Sequence, residues 1–363
     1  MDTAVETLAD GTTEDAKPLR VGIIGCGGIS QTHIRYLTKN PGVSIVCGAD
    51  INPAALERMT NTHGVTRVYA DYKEMLREMG DEVDAISVCA PNGIHAEAAI
   101  AAAEAGKHVL CEKPMALNAK LAQTMADAAK KSGVEFVIGF QHRFEPRSQV
   151  LRDMVQSGAL GDILYVRAQA LRRRGIPNWG VFGQKELQGG GPLIDIGVHI
   201  LEASHSIIGT PKPVSATGNT FTYLGNTKSD VVSEWAGWDY KTYTVEDLAV
   251  GMIRFENGTM LTLESSFVAH IPENVFNIQI MGTKGGAIWD GSQIFTDFHG
   301  YMVNTEVPFI GKRDMWDYKL KHFVEVARDG RTNEAPAEHG IMVQKMLDGI
   351  YASAAAGKEV AID

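Results

Sequence analysis

Two short motifs in this chain carry the residue types that move a proton on and off a hydroxyl group. Asp195 and His199 are four residues apart, so a helix places them on one face. Histidine titrates near neutrality, and it can therefore both accept and return a proton. Taken alone, an Asp–His pair on an amphipathic helix is usually a solvent-exposed feature, so the other motifs decide its meaning.

Lys113 is the second chemical candidate. It ends the predicted strand His108–Lys113 and is followed by Pro114. Ligands of doubly wound sheets bind outside the carboxyl ends of the strands, so Lys113 points toward such a crevice. An ammonium group there would stabilise a developing alkoxide and help to align a hydroxyl. A lone lysine at a strand end is more often simply solvated.

A glycine-rich turn predicts a dinucleotide site. Gly25-Cys26-Gly27-Gly28-Ile29-Ser30 follows a predicted strand and opens a predicted helix. The first glycine permits a tight turn, and the second lets a pyrophosphate approach the N–H groups at the helix N-terminus. Ser30 replaces the usual third glycine or alanine and is small enough for close packing. The backbone of Gly25, Gly27, Gly28 and Ile29 is therefore the predicted pyrophosphate site.

Asp50 predicts which dinucleotide is bound. It ends the second predicted strand, where an acidic residue accepts hydrogen bonds from an adenosine ribose. A 2′-phosphate at this point would be repelled by the carboxylate, and Ile51-Asn52-Pro53 offers no arginine to compensate. We therefore predict NAD rather than NADP.

Elements that position these residues fall into two groups. From Leu19 to about Gln141, strands and helices alternate, which is typical of a parallel sheet with helices on both faces. After Gln141 the pattern becomes α+β, with Asn257-Gly258 as a hairpin turn. We predict an α/β protein with an N-terminal Rossmann domain, a doubly wound parallel sheet, over residues 19–141. A C-terminal α+β domain with a largely antiparallel open sheet follows over residues 142–363.

Within this outline the individual elements can be placed. The predicted strands are Val21–Gly25, Ser44–Asp50, Ala85–Ala90, His108–Lys113, Val134–Phe140, Ile163–Leu171, Val214–Tyr223, Glu246–Phe255, Thr259–Phe267 and Val275–Met281. The predicted helices begin at Pro53 and after Asp71, and otherwise span Ile94–Ala105, Asn118–Lys131, Pro146–Gln156, Leu193–Ile208, Trp316–Arg328 and Glu338–Ala355.

Composition narrows the function classes. The 363 residues carry a formal net charge of −10, which argues against a nucleic-acid or membrane partner. Residues 1–18 are acidic and lack the pattern of a secretory signal, so we expect a disordered leader and a cytoplasmic protein. The four cysteines have no metal-ligand spacing, and we expect no metal.

Together the motifs resemble one family. The glycine turn, Pro91-Asn92-Gly93-Ile94-His95, Glu112-Lys113-Pro114 and Asp195…His199 occur in the order and spacing of the glucose–fructose oxidoreductase / inositol dehydrogenase family, Gfo/Idh/MocA. The resemblance covers Leu19 to Asp363.

The resemblance implies specific roles. Lys113, Asp195 and His199 would be the catalytic residues and would also bind substrate, with His199 exchanging the hydroxyl proton. It implies that the nicotinamide half of NAD is lined by Pro91, Asn92, His95, Glu112, Lys113 and Gln141. Arg143 would contact substrate at the domain junction. The C-terminal domain would bind substrate and form a homo-oligomer: a dimer, tetramer or hexamer.

The substrate is less constrained. Arg173 and Trp179 belong to an arginine run followed by tryptophan, Arg172 to Gly180, which would grip a sugar or an anionic group or would be a solvated turn. We predict a sugar or glycoside dehydrogenase that acts at a ring hydroxyl such as C3 of a pyranoside. An inositol or cyclitol dehydrogenase is a close second reading. The sequence is also compatible with a transhydrogenase or glycoside hydrolase that recycles NAD and, least of all, with a non-catalytic NAD-binding regulator.

Overall fold

A computed structural model describes residues 17–311 and 314–363 of the chain. Residues 1–16 of the predicted leader, residues 1–18, therefore lie outside the described part of the chain. Within the described part, no helix is both long enough and apolar enough to cross a membrane.

The first half of the chain forms a parallel sheet of six strands in the order β3-β2-β1-β4-β5-β6. This is the strand order of a dinucleotide-binding Rossmann fold, with its crevice between β1 and β4. The elements are β1 (Leu19–Ile24), α1 (Gly28–Leu37), β2 (Val43–Ala49), α2 (Pro53–His63), β3 (Val68–Tyr69), α3 (Tyr72–Met79), β4 (Ala85–Val88), α4 (Asn92–Glu104), β5 (His108–Cys111), α5 (Ala119–Ser132) and β6 (Phe136–Ile138).

Helix boundaries in this half follow the capping residues. Asn52, Asp71 and Asn118 each accept a hydrogen bond from a backbone N–H in the first turn of α2, α3 and α5. The sequence predicts the caps at Asn52 and Asp71 and a helix start at Asn118. The predicted strands and helices of this half are confirmed to within a few residues, whereas the two-residue strand β3 is absent from the sequence prediction.

The second half forms a nine-stranded sheet in the order β14-β13-β12-β11-β7-β10-β9-β8-β15, antiparallel except for the pair β7–β10. Its elements are α6 (Pro146–Gln156), β7 (Ile163–Leu171), α7 (Lys185–Gln188), α8 (Val198–Ile207), β8 (Pro213–Phe221), β9 (Leu248–Phe255), β10 (Met260–Ser266), β11 (Val275–Gly282), β12 (Gly285–Ile288), β13 (Gln293–Phe298), β14 (Tyr301–Glu306), α9 (Met315–Asp329), α10 (Ala337–Ala356) and β15 (Val360–Ala361). Strands β12 to β15 and the short helix α7 are absent from the sequence prediction.

The C-terminal helices connect the two sheets. Helix α10 packs against β8 of the second sheet and against α5 of the first. Helix α9 packs on α1, and its Leu320 and Phe323 share one apolar core with Ile34 and Leu37. The last part of the chain therefore returns to the first sheet. The boundary at residues 141 and 142 stays a prediction.

Candidate active site

The glycine turn leaves room for a ligand at the N-terminus of α1. Gly25 has a φ of +87°, and a Cβ there would lie 2.5 Å from the backbone nitrogen of Ala90. A Cβ on Gly27 or Gly28 would meet nothing within 4 Å, so the space above the turn is open. No side chain caps α1. Ser30 is fully buried and donates to the carbonyl of Gly27 over 2.7 Å, which holds the turn closed.

Asp50 and Arg58 brace the same turn from the neighbouring strand and helix. The Asp50 carboxylate accepts from the backbone N–H of Cys26 over 2.7 Å and from that of Asn52 over 2.8 Å. Arg58, in the second turn of α2, donates to the carbonyl of Cys26 over 2.8 Å. The predicted ribose-binding carboxylate thus lies beside the turn. Arg58 was not predicted, because a lone arginine on an exposed helix carries no sequence signal.

The loops after β4 and β5 form the other side of the crevice. His95 is buried, and its two ring nitrogens lie 2.8 Å from the carbonyl of Pro114 and 2.9 Å from that of Ala90. Asn92 is also buried and donates to the carbonyl of Gln188. Both residues therefore tie neighbouring loops together beside Pro91. Gln141 is buried too, and its Oε1 has no hydrogen-bond partner within the described ranges.

Glu112 lies behind this crevice. Its Oε1 accepts from Lys319 of α9 and lies 2.9 Å from Nε2 of His33 in α1. Burial alone would raise the pKa of Glu112, but the charge of Lys319 and the hydrogen bond to His33 hold that pKa well below its ordinary value. Glu112 is therefore a buried, ionised anchor for the turn that carries Lys113.

Lys113 meets the second motif across the junction of the two sheets. Its Nζ donates to the Asp195 carbonyl oxygen over 2.8 Å and lies 3.3 Å from the Asp195 carboxylate. Asp195 lies in a π-helical turn, Leu193–Gly197, that runs into α8. Such turns are rare in proteins as a whole, but where they occur they are often at functional sites. The structure thus brings together Lys113, Asp195 and, four residues on, His199.

Glu246 shapes that turn. Its Oε1 accepts from the backbone N–H of Gly191 over 2.9 Å and from that of Leu193 over 3.2 Å. A Cβ on Gly191 would lie 2.0 Å from the carbonyl oxygen of Glu246, so no larger residue fits there. This close approach therefore explains Gly191, the last glycine of the run before Pro192.

His199 lies in the wall of a cleft of about 400 Å³. Burial lowers its pKa well below the ordinary value, and the nearby charge of Lys113 and the presence of His142 lower it further. The His142 ring contacts the His199 ring edge-on, with centroids 5.1 Å apart, and its Nδ1 lies 3.1 Å from Oε2 of Glu145. The cleft thus holds a neutral imidazole base, and the ammonium group of Lys113 contacts Asp195 in the wall of the same cleft.

The remaining cleft residues differ from the sequence expectation. Besides Asp195 and His199, the cleft is lined by His142, Ala170, Leu171, Arg172, Ile196, Asn274, Val275 and Phe276. Arg172 lies over the ring of Trp235, 4.7 Å from its centroid, and burial lowers its pKa. Arg172 is the first residue of the arginine run that the sequence predicts to grip the substrate. His142 was not predicted, although it lies between Gln141 and Arg143, which were.

Three predicted substrate residues lie elsewhere. Arg143 is buried and donates to Glu202, with a 2.7 Å bond from Nε, so it does not line the cleft. Arg173 lines a neighbouring cleft. Trp179 is about half exposed and packs edge-on against Trp235, 5.0 Å between ring centroids. The buried ion pair with Glu202 explains why Arg143 faces the protein interior, because the carboxylate neutralises the charge of the guanidinium group.

The residues present fit a dinucleotide. The open space over Gly27 and Gly28, the uncapped helix, Asp50 beside the turn and the unpartnered oxygen of Gln141 provide the donor and acceptor groups that such a molecule needs. Gly25 to Ile29 would hold the pyrophosphate, Asp50 the ribose, and Gln141 the nicotinamide end.

Comparison with known proteins also indicates a dinucleotide-binding fold. Residues 19–140 match the family model of an oxidoreductase family with an NAD-binding Rossmann fold, and residues 148–288 match the GFO/IDH/MocA C-terminal domain. The D-glucoside 3-dehydrogenase of Escherichia coli (strain K12) is 37% identical over 347 residues, 95% of this chain and 98% of that protein. The myo-inositol 2-dehydrogenase of Thermotoga maritima is 28% identical over 331 residues, 89% of this chain and 92% of that protein.

Solved structures share the fold. A levoglucosan dehydrogenase in complex with NADH superposes with a TM-score of 0.83 at 23% identity, covering 96% of this chain and 100% of that chain. The predicted fold class and the predicted NAD cofactor are confirmed. The chain belongs to the GFO/IDH/MocA family of NAD-binding oxidoreductases.

Proposed function

We propose that this enzyme oxidises a ring hydroxyl of a glycoside, the hydroxyl at C3 of a pyranoside. The observation that carries the proposal is the contact between Lys113 and Asp195, a residue that lines the same cleft as His199. The choice of C3 rests on the 37% identity to a protein named D-glucoside 3-dehydrogenase.

Each of the three residues has a distinct task. Lys113 carries its charge to the cleft and binds the reacting hydroxyl, where it stabilises the oxygen as negative charge develops. His199 accepts the hydroxyl proton on a ring nitrogen, since burial keeps this imidazole neutral. Asp195 fixes the Lys113 ammonium group and binds a neighbouring hydroxyl. NAD, when bound, supplies the hydride acceptor.

Formation of NADH, followed by absorbance at 340 nm, tests the proposal. The panel contains methyl glucosides of both anomers, free glucose, levoglucosan and myo-inositol, and NMR of the product locates the new carbonyl. We expect turnover of a methyl glucoside with the carbonyl at C3. A carbonyl at another ring carbon would show that C3 is not the site of oxidation. No turnover of any glycoside would refute the proposal.

A cyclitol substrate is the second candidate. The 28% identity to a myo-inositol 2-dehydrogenase favours it. In the same panel, turnover of myo-inositol without turnover of glucosides would establish a cyclitol dehydrogenase. Release of an aglycone without net NADH would instead indicate a hydrolase that recycles its cofactor.

The open face of the second sheet supports a homo-oligomer. The face opposite α8 and α10 carries Tyr165, Met252 and Thr262 in a shallow groove, with an ion pair between Arg167 and Glu264. A second copy of this chain would cover these side chains. Light scattering after size exclusion tests this, with a mass above the 39.3 kDa of one chain expected.

Cytoplasmic residence is part of the proposal as well. The four cysteines are buried free thiols, which is typical of a reducing compartment, and that compartment holds the NAD pool. Cell fractionation with an antibody tests it, and recovery with secreted proteins would contradict it.

A further inference from the structure

A second cleft lies next to the one that holds His199. It has a volume of about 670 Å³ and is formed by the turn after β7, residues 231–234 of a long connection, residues 269–272 and residue 274. Asn274 lines both clefts, and Arg172 of the first is followed directly by Arg173 of the second. The two clefts are therefore adjacent and share Asn274 in their walls.

The second cleft carries unpaired positive charge. Arg173 and Arg174 both line it, and neither forms an ion pair with a carboxylate in residues 17–311 or 314–363. Arg167, six residues earlier on β7, is by contrast paired with Glu264. The lining includes one carboxylate, Glu234, and it is exposed to solvent and pairs with neither arginine in the described ranges.

The two arginines are held in place by uncharged groups. The backbone N–H of Arg173 donates to Oδ1 of Asn274 over 2.7 Å, and its Nη1 donates to the carbonyl of Pro272 over 2.9 Å. Arg174 places Nη2 3.5 Å from Nε2 of His270, and its Nη1 is buried without a hydrogen-bond partner within the described ranges. Both guanidinium groups thus contact only uncharged groups of the protein, and no carboxylate in the described ranges pairs with either of them.

Guanidinium groups bind carboxylate and phosphate through paired, charge-assisted hydrogen bonds. The cleft is also large enough for a sugar ring or an aromatic group, and Val231 and Val232 give it an apolar side. We propose that the second cleft is a subsite for an anionic group on the part of the glycoside away from the oxidised ring. This inference rests on the proposed glycoside oxidation and adds the substrate class: glycosides with an acidic aglycone or an acidic second sugar.

A pair of matched substrates tests the subsite. The 4-carboxyphenyl and 4-nitrophenyl glucosides have nearly the same shape and differ in charge, and each is assayed by NADH fluorescence with the wild-type enzyme. We expect kcat/KM to be about tenfold higher for the carboxylate, the effect of one charge-assisted contact. This preference should shrink as salt is added, because the contact is partly exposed.

Variants assign the preference to the two arginines. In the double variant Arg173→Gln/Arg174→Gln, the ratio of the two kcat/KM values should fall to about one. The ratio is read on a single preparation, so a general loss of activity or stability cancels from it. The control Arg254→Gln removes an exposed arginine that is paired with Glu359 on the far strands, and it should keep the wild-type ratio.

The outcomes separate the two proposals. Turnover of both aryl glucosides at equal kcat/KM by the wild type would overturn the subsite and leave glycoside oxidation intact. A preference that survives in the double variant would also overturn it. No turnover of either aryl glucoside or of methyl glucoside would refute both proposals.

Discussion

Replacing Lys319 by methionine tests the buried charge network behind the active site. The Lys319 side chain is fully buried, and Nζ contacts the carboxylate of Glu112 and lies 3.2 Å from Nε2 of His33. Removing one partner of a buried ion pair leaves an uncompensated charge and costs about 3–5 kcal/mol. We therefore expect Lys319→Met to lower the free energy of unfolding by about 3 kcal/mol or more.

Lys321→Met is the matched control on the same helix. Its side chain is 54% exposed and lies 3.9 Å from Glu325, one helical turn away. Exposed pairs of this type contribute about 0.3–0.5 kcal/mol, so this variant should be nearly neutral. Urea unfolding is followed by far-UV circular dichroism, because Lys319 lies over the ring of Trp316 and would change its fluorescence directly. Equal midpoints for Lys319→Met and Lys321→Met would refute the reasoning.

The pH dependence adds a second test of the same network. Glu112 has a lowered pKa in the folded protein, so its contribution to stability is present above its unfolded pKa and is lost as the pH falls through the folded one. Without Lys319, burial favours the protonated form of Glu112, and that form needs no ion partner. The stability difference between wild type and Lys319→Met should therefore narrow toward about pH 4. A constant difference would show that the loss is one of packing alone.

Three further predictions concern catalysis. Lys113→Met and His199→Asn should each lower kcat at least about 100-fold while NAD still binds in calorimetry, and near-normal rates would exclude them as catalytic residues. Because the pKa of His199 is lowered, kcat/KM for oxidation should stay level as the pH falls through about 6.5, and a midpoint at or above that value in initial-rate profiles would contradict the assignment. Asp50→Ala should lower the affinity for NAD about tenfold or more and raise the relative use of NADP. Unchanged NAD affinity in titrations would show that Asp50 does not bind the ribose.

The fold could be predicted because local signals and tertiary structure agree. Caps at Asn52, Asp71 and Asn118 mark helix starts in both sequence and structure. Strands β12 to β14 were missed for a physical reason, since the hairpin of β13 and β14 is largely exposed and shows no clear alternation of apolar residues. The return of α9 to the first sheet is likewise a tertiary contact that no local pattern specifies.

The site was predictable only where motifs are contiguous in sequence. Lys113, Asp195 and His199 lie in such motifs, and the structure brings them into contact or into one cleft. Lys319 and Glu246 position them from distant parts of the chain, so their function depends on contacts that sequence does not show. For Lys319 one signal existed: it stands within the apolar stripe of an amphipathic helix, where a lysine needs a buried partner.

Burial and the charges around His199 keep it ready to act as a base near neutral pH. An imidazole with a pKa well below 6.5 is unprotonated in this range, so His199 is ready to accept a proton and seldom carries one to donate. The causes of the lowered pKa are burial and the cation of Lys113, and that same cation stabilises the oxygen that loses its proton. Reduction would require a protonated His199 beside Lys113, which burial and charge repulsion both oppose. The Lys113–Asp195 contact thus fixes the position of the cation that helps to keep His199 unprotonated and able to accept the hydroxyl proton.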